Sequence, residues 1–246
     1  MRVVQLRFPF AQPAIVAHRG AHCCGHHENS LSAIAHAVEL GAHGIEIDVC
    51  NLADGVLVIS HDACVTIAGA SIPLPALTQR EVGPLLRSGE LMPVETALDL
   101  IRPANTFLCL DWKGRGDEAK VVQRINEFGL GERTIVSSLK SEALAEIKDR
   151  RPDLLTGLSF RSRSRVQSGF AVAPGDHIID RVRAARADAA MLERGLASAT
   201  MVTALRESGT GIFVWIAEDA HTFASLAGLG PDGIMSDAVH DHLGPG

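Results

Sequence analysis

No stretch of this chain approaches the roughly 18 consecutive apolar residues of a membrane-spanning helix. Met1 to Ala17 is apolar in places, but Arg7, Pro9 and Pro13 break it and it runs straight into a predicted strand. No signal peptide is therefore read there, and no membrane span is expected. Positive charge is not in excess: 23 Lys and Arg stand against 29 Asp and Glu, for a net charge of −6. That balance argues against nucleic acid as a general partner. It also means that an anionic ligand must be met by local positive charge or by a metal. Cysteine is scarce, with five residues and no repeated CxxC spacing. An odd set of this kind makes no disulfide framework and fits a reducing, cytoplasmic compartment. No repeat or low-complexity linker divides the 246 residues, so one domain, 1–246, is expected. An apolar content of 46% with 21% charged residues describes a globular core.

What the chain does have is a concentration of reactive side chains between Ile15 and Asp62. Residues 43 to 49, His-Gly-Ile-Glu-Ile-Asp-Val, read as a strand. Side chains alternate across a strand, so Glu46 and Asp48 share one face. Two adjacent carboxylates repel, and a cation between them relieves the repulsion. Oxygen ligands without thiolates favour a hard ion, Mg²⁺ or Ca²⁺, over zinc. Alone, such a pair is better read as an ordinary polar strand face; the flanking histidines reverse that reading. His18 ends the apolar run Ala14 to Ala17. Asp54-Gly55 between apolar runs signals a tight turn. The short return allows no crossover, so residues 56 to 60 should fold back antiparallel. The arm then carries His61 toward the level of the carboxylates. Two histidines on one rim with two carboxylates suit acid–base work.

The remaining chain alternates strands and helices. A helix opening at Glu28-Asn29-Ser30 runs to Leu40 and stops at Gly41. Residues 62 to 92 form an excursion with a short helix at Thr78 to Leu86. Setting the arm aside, eight parallel strands are counted, the last over Gly233 to Met235. That number predicts a (β/α)₈ TIM barrel with an extra β-hairpin arm after strand 2. Active sites on this barrel lie at the carboxyl ends of the strands, where the reactive residues fall.

His18-Arg19-Gly20, Glu28-Asn29-Ser30, Glu46-x-Asp48, Asp54-Gly55 and His61-Asp62, in this order, resemble the signature of the glycerophosphodiester phosphodiesterase family. Met92 to Leu98, Leu110 to Lys113, Val214-Trp215 and Asp232 to Asp237 are similar to its later segments. The resemblance implies a metal-dependent hydrolysis of a small-molecule glycerophosphodiester to glycerol 3-phosphate and an alcohol. It implies Glu46, Asp48 and Asp111 as metal ligands, with Asp111 where the family usually has Glu. Arg19 and Lys113 are read as phosphate contacts, a planar fork and a point charge. His18 is assigned as base and His61 as acid, and the roles can exchange between half-reactions. The attacker is water or the substrate's own glycerol 2-hydroxyl. Trp215 is expected against the glycerol or leaving group, or else as a core residue closing the rim. Glu28 and Asn29 either orient the site or, for Asn29, cap the helix.

Two alternatives remain open here. One is a phospholipase D-like lyase acting on lysophospholipid or sphingomyelin, which would favour a secretion signal and a disulfide that are not evident. The other is a catalytically silent barrel that binds a phosphodiester. The loop His22-Cys23-Cys24-Gly25-His26-His27 carries soft-metal ligand types. Adjacent cysteines rarely hold one ion well, and no distant Cys/His pair completes a set, so a rim loop is the simpler reading. Arg161, Arg163 and Arg165 follow the fifth strand and should reach the rim, as an anionic-headgroup contact or a solvated charge run. Oligomeric state is not legible.

Overall fold

The computed structural model describes residues 12–23, 25–162 and 176–243. The strands are β1 (Ala14–Ala17), β2 (Gly44–Asn51), β3 (Leu57–Ile59), β4 (Cys64–Ile67), β5 (Ala70–Pro73), β6 (Met92–Pro93), β7 (Phe107–Trp112), β8 (Thr134–Ser138), β9 (Leu155–Phe160), β10 (Ala189–Glu193), β11 (Gly211–Ala217) and β12 (Gly233–Ser236). The helices are α1 (Leu31–Glu39), α2 (Gly83–Ser88), α3 (Val94–Ile101), α4 (Glu118–Glu127), α5 (Ser141–Arg150), α6 (Asp176–Ala184), α7 (Ala199–Glu207) and α8 (Ala220–Ala227). Strands β1, β2 and β7 to β12 pair in parallel, in that order, and β12 pairs back onto β1. The result is the closed eight-stranded barrel that the alternating pattern predicts.

Alternation along each strand sorts the side chains into two layers. Ile45, Ile47, Leu108, Leu110, Trp112 and Val136 face outward and pack with α1, α3, α4 and α5. Leu158, Phe160, Ala190, Leu192, Ile212 and Val214 do the same toward α6, α7 and α8. The intervening positions point inward. At the amino ends these are Val16, Phe107, Cys109, Ile135, Met191 and Phe213, which plug the barrel. At the carboxyl ends the same faces carry His18, Asp48, Asp111, Ser137, Ser159 and Trp215, which line a cavity. Each strand thus passes from apolar to polar along its inward face, and this gradient sets the site on top of a dry floor.

The antiparallel arm forms as expected: β3 pairs with β2 through Val49 and Ile59, and β6 adds to its far edge. The excursion differs from expectation in two places. Its helix starts at Gly83 rather than Thr78. Pro84 lacks the N–H needed to continue a helix from residue 80, so residues 78–82 close as a separate turn and a new helix begins. Glu81 fastens that turn by accepting from the Thr78 N–H and hydroxyl, at 2.8 and 2.6 Å. A hairpin, β4 with β5, also forms. Its turn, Ala68-Gly69, has positive φ at both residues, the geometry of a two-residue hairpin turn without the usual Asn or Asp. Among the described residues no helix is long and apolar enough to cross a membrane.

The barrel floor depends on a missing side chain. A Cβ on Gly44 would stand 2.5 Å from the Phe107 ring. That ring is fully buried and meets Phe213 edge-on, centroids 6.2 Å apart at 71°, so it has no free direction of retreat. Gly44→Ala should therefore lower stability by about 1–3 kcal/mol, as overpacking does. The loss, read from the urea midpoint, should shrink when Phe107→Leu is already present. An equal loss in both backgrounds would place its cause elsewhere.

Candidate active site

His18 follows the last residue of β1, and its N–H donates to the Ser236 carbonyl at 3.2 Å. Its Nδ1 lies 2.7 Å from Asp237 Oδ1, and the ring is buried. His22 reaches the same oxygen through Nε2 at 3.1 Å. Burial works to raise the Asp237 carboxyl, but the hydrogen bonds from His18 and His22 overcome it and hold the group below the usual carboxylate range. An ionised carboxylate only accepts, so His18 carries its proton on Nδ1 and His22 on Nε2. In the neutral ring this leaves the Nε2 lone pair of His18 free. The hydrogen bond to Asp237 in turn raises the His22 pKa against the effect of burial.

Arg19 takes a left-handed conformation, φ 57°, which turns its N–H onto Glu46 Oε2 at 2.9 Å. Its Nη1 donates to both Glu28 oxygens at 2.9 and 2.8 Å. Its Nε stands 3.1 Å from Asp48 Oδ2, an ion-pair distance without hydrogen-bond geometry. Burial disfavours the guanidinium charge, and Asp48, Glu28 and Glu46 more than compensate, so it is held firmly charged. Gly20 then continues at φ +78°, where a Cβ would meet the Ala33 backbone at 2.7 Å. The Arg-Gly pair is thus what lets α1 pack against the end of β1.

Asn29 does not cap α1. Ser30 does, accepting from the Ala33 N–H at 3.1 Å. Asn29, at φ 57°, instead clasps Asp48, donating from Nδ2 to Oδ2 at 2.8 Å and accepting the Asp48 N–H at 3.2 Å. Of the two readings of Asn29, orientation of the site is the one the geometry supports.

Glu46 and Asp48 project from β2 on one face, and both are buried. Asp48 and Asp111 are register partners on β2 and β7. Lys113 Nζ sits between them, 2.8 Å from Asp48 and in close ion-pair contact with Asp111. Burial opposes the ammonium charge, but Asp111, Asp48 and Glu46 raise its pKa overall. Asp111 also accepts from the Ser137 hydroxyl at 2.8 Å. For Asp48, burial raises the pKa, and Lys113, Arg19 and Asn29 bring it below the usual value. Glu46 differs. Burial, then Asp48 and Asp111, push its carboxyl well above the usual range. Three carboxylates against two cations leave the trio short of positive charge.

One ligand atom each from Glu46, Asp48 and Asp111 lie within 4.8 Å of one another. All are oxygens, and Glu46 is held away from its ionised form by its own neighbours. That donor set fits a hard divalent ion. Such an ion would relieve the repulsion that raises Glu46.

His18, Arg19, Glu46, Asp48, Asp111, Lys113 and Trp215 line one deep cavity of about 50 Å³. Trp215 is half-buried there and donates from Nε1 to the Met191 carbonyl at 3.1 Å. It is a rim tryptophan with a face toward the cavity. Arg161 lies over that ring, 5.7 Å from its centroid. Arg163 and Arg165 lie outside the described residues. His61 does not line the deep cavity. It lines the adjoining groove of about 720 Å³ with Glu28, Asn29 and Asp62, and its Nδ1 lies 3.0 Å from Asp62. The Arg19–Glu28 ion pair has one member on each space. The sequence reading missed Asp237 as the partner of His18. Its signal was position: Asp237 follows β12 just as His18 follows β1.

Residues 18–89 match the model of the glycerophosphoryl diester phosphodiesterase family. The chain is 29% identical over 241 residues to the glycerophosphodiester phosphodiesterase of Caldanaerobacter subterraneus subsp. tengcongensis, covering 91% of this chain and 93% of that one. The glycerophosphodiester phosphodiesterase of Parabacteroides distasonis shares the fold with a TM-score of 0.77 at 22% identity, over 93% of each chain. An Oleispira antarctica phosphodiesterase solved with its product sn-glycerol-3-phosphate has a TM-score of 0.71 at 20% identity, over 92% of this chain and 93% of that one. The solved structures share the barrel, the family match runs from His18 through the hairpin arm, and the sequence likeness extends over most of the chain. On these grounds the chain is similar to the glycerophosphoryl diester phosphodiesterase family, through the family model over residues 18–89 and through a relative matched over 91% of the chain's length.

Proposed function

We propose that this barrel hydrolyses glycerophosphodiesters to glycerol 3-phosphate and an alcohol, with His18 and His61 as the acid–base pair. The observation that carries the reading is the carboxylate trio set beside two half-buried cations and the free Nε2 of His18. The lyase and silent-barrel alternatives are not favoured, since a relative matched over 91% of this chain is a glycerophosphodiester phosphodiesterase.

Glu46, Asp48 and Asp111 would hold a divalent ion, Mg²⁺ or Ca²⁺. Bound there, it would supply Lewis-acid stabilisation of charge on the phosphoryl oxygens. Arg19 and Lys113 add fixed positive charge to the same wall, aimed where negative charge develops. Asp237 keeps the His18 proton on Nδ1, so Nε2 accepts the proton of the attacking hydroxyl. The resulting imidazolium is stabilised by the same carboxylate. His61 lines the groove on the far side of the Arg19–Glu28 ion pair, so the alcohol portion extends from the cavity into that groove. His61 donates a proton to the departing oxygen there. Trp215 offers a flat apolar wall to the part of the substrate that stays in the cavity. Product analysis by ³¹P NMR on glycerophosphocholine, glycerophosphoethanolamine and glycerophosphoinositol tests the reaction. Release of glycerol 3-phosphate is the expected result, and no phosphorus-containing product from any of the three would overturn it.

Metal removal gives a second test. Chelation should abolish turnover, and Mg²⁺ or Ca²⁺ should restore it. Glu46 has a folded pKa raised above its unfolded value, so its contribution to stability is full at low pH and is lost as pH rises through the folded pKa. The melting temperature of chelated protein should accordingly fall as pH rises from the ordinary carboxylate range toward neutrality. Glu46→Gln should flatten that fall and leave turnover unrestored by metal. Full activity of protein shown metal-free by elemental analysis would sink the metal assignment.

A third test separates the histidines. A proton donor of this kind contributes roughly 10²–10⁴-fold. His61→Ala should lose that much on glycerophosphodiesters and far less on bis(p-nitrophenyl) phosphate, whose phenolate leaves without protonation. His18→Ala should slow both. Near-wild-type rates for both variants on glycerophosphodiesters would make the histidines structural.

A further inference from the structure

Beside the carboxylate trio, the described residues bring together a second set of metal-competent side chains of different chemistry. One ligand atom each from His18, His22 and Asp237 lie within 4.8 Å of one another. Both imidazoles already aim a nitrogen at one oxygen, at 2.7 and 3.1 Å. The backbone pins each residue or its neighbour. The His18 N–H donates to Ser236, that of Asp237 to Ala217, and that of Ala21, next to His22, to Ala33. The side chains of His22 and Asp237 are 26% and 28% exposed, so the set opens to solvent on that side. Two imidazoles and one carboxylate, leaving positions for water, suit zinc and other borderline ions rather than the hard ions the trio suits.

We propose that His18, His22 and Asp237 form a second metal site, selective for a borderline divalent ion such as zinc, whose occupation inhibits the enzyme. Binding rests on the donor set alone; the inhibition rests on the reading of His18 as base. The ion takes the Nδ1 lone pair of His18 and an oxygen of Asp237. The single proton of the neutral ring passes through solvent from Nδ1 to Nε2. With Nε2 protonated, His18 no longer accepts a proton from the attacking hydroxyl. One ion thereby reverses the tautomer that Asp237 imposes. His22 stands outside the catalytic set and supplies Nε2 as the third ligand from the Cys/His-rich loop; its Nε2 proton leaves to solvent as the ion binds, and the neutral ring keeps a proton on Nδ1.

The test uses the full chain, chelator-treated and then saturated with Mg²⁺ so that the trio is occupied. Titration with Co²⁺, a spectroscopic stand-in for zinc, should give visible ligand-field bands in the wild type. His22→Ala and His22→Gln should both lose them; the Gln variant keeps a donor toward Asp237 in case the Ala variant misfolds. Turnover with Mg²⁺ alone should remain near wild type in these variants. Loss of an outer hydrogen-bond partner weakens a metal site roughly 10–100-fold, so loss of a ligand should raise the half-inhibiting zinc concentration at least that much. Absent Co²⁺ bands, or bands and zinc inhibition equal in wild type and folded His22 variants, would overturn the site. His22-dependent bands in a protein with no phosphodiesterase activity would leave the site standing and overturn the functional reading instead.

Discussion

The structure turns on three carboxylates gathered inside one barrel mouth. Like unit charges about 4 Å apart repel by about 4 kcal/mol at an effective dielectric constant of 20. Three such groups cannot be ionised together in a buried pocket without counter-charge. The chain supplies two cations: Lys113 between Asp48 and Asp111, and Arg19 against Asp48. It tethers the third carboxylate, Glu46, with a backbone N–H, and that group still resists ionising. Much of the nearby local structure serves this balance. The left-handed Arg19 delivers its N–H, the left-handed Asn29 delivers its amide, and Lys140 holds the loop after Lys113 through the carbonyls of Lys113 and Gly114 at 2.6 and 2.9 Å.

The parts of the fold legible in the sequence were those governed by periodicity. A two-residue period placed Glu46 and Asp48 on one face, and helical spacing placed α1. The return of β3 followed from chain length, because no crossover fits between Asn51 and Leu57. Geometry that depends on φ rather than on pattern was not legible. Asn29 has the composition of a helix cap, and only its left-handed backbone shows that it turns back to Asp48 while Ser30 takes the cap. The β4–β5 hairpin was missed because Ala68 occupies a position where Asn or Asp would have signalled the turn. The α2 start falls later than Thr78 because Pro84 suits only the first turn of a helix.

The site was legible as a list of residues more than as an arrangement. Strand parity brought the carboxylates together, and the position of Lys113 just beyond β7 put it near Asp111. The partition of the histidines was not readable. Sequence order places His61 at the right height, since the Ser60 N–H donates to the Asp48 carbonyl at 3.0 Å. It does not reveal that the ring turns to Asp62 and the groove rather than into the deep cavity. Nor does it reveal Asp237, 219 positions from His18, because only closure of the barrel makes β12 and β1 neighbours.

That closure also changes the meaning of the Cys/His-rich loop. Within the sequence the loop lacks a completing pair of ligands. In the folded barrel its first histidine meets the end of β1 and the end of β12, and both ends carry ligand-type residues. The rim position alone does not decide which chemistry follows. The deciding feature is that Asp237 is shared: the oxygen that fixes the proton of His18 is the oxygen that His22 also reaches. A carboxylate engaged by one histidine is a positioning device. Engaged by two whose ring nitrogens converge on it, the same carboxylate becomes part of a chelate. The proton on His18 then depends on which cation, a hydrogen ion or a metal ion, occupies the space between them.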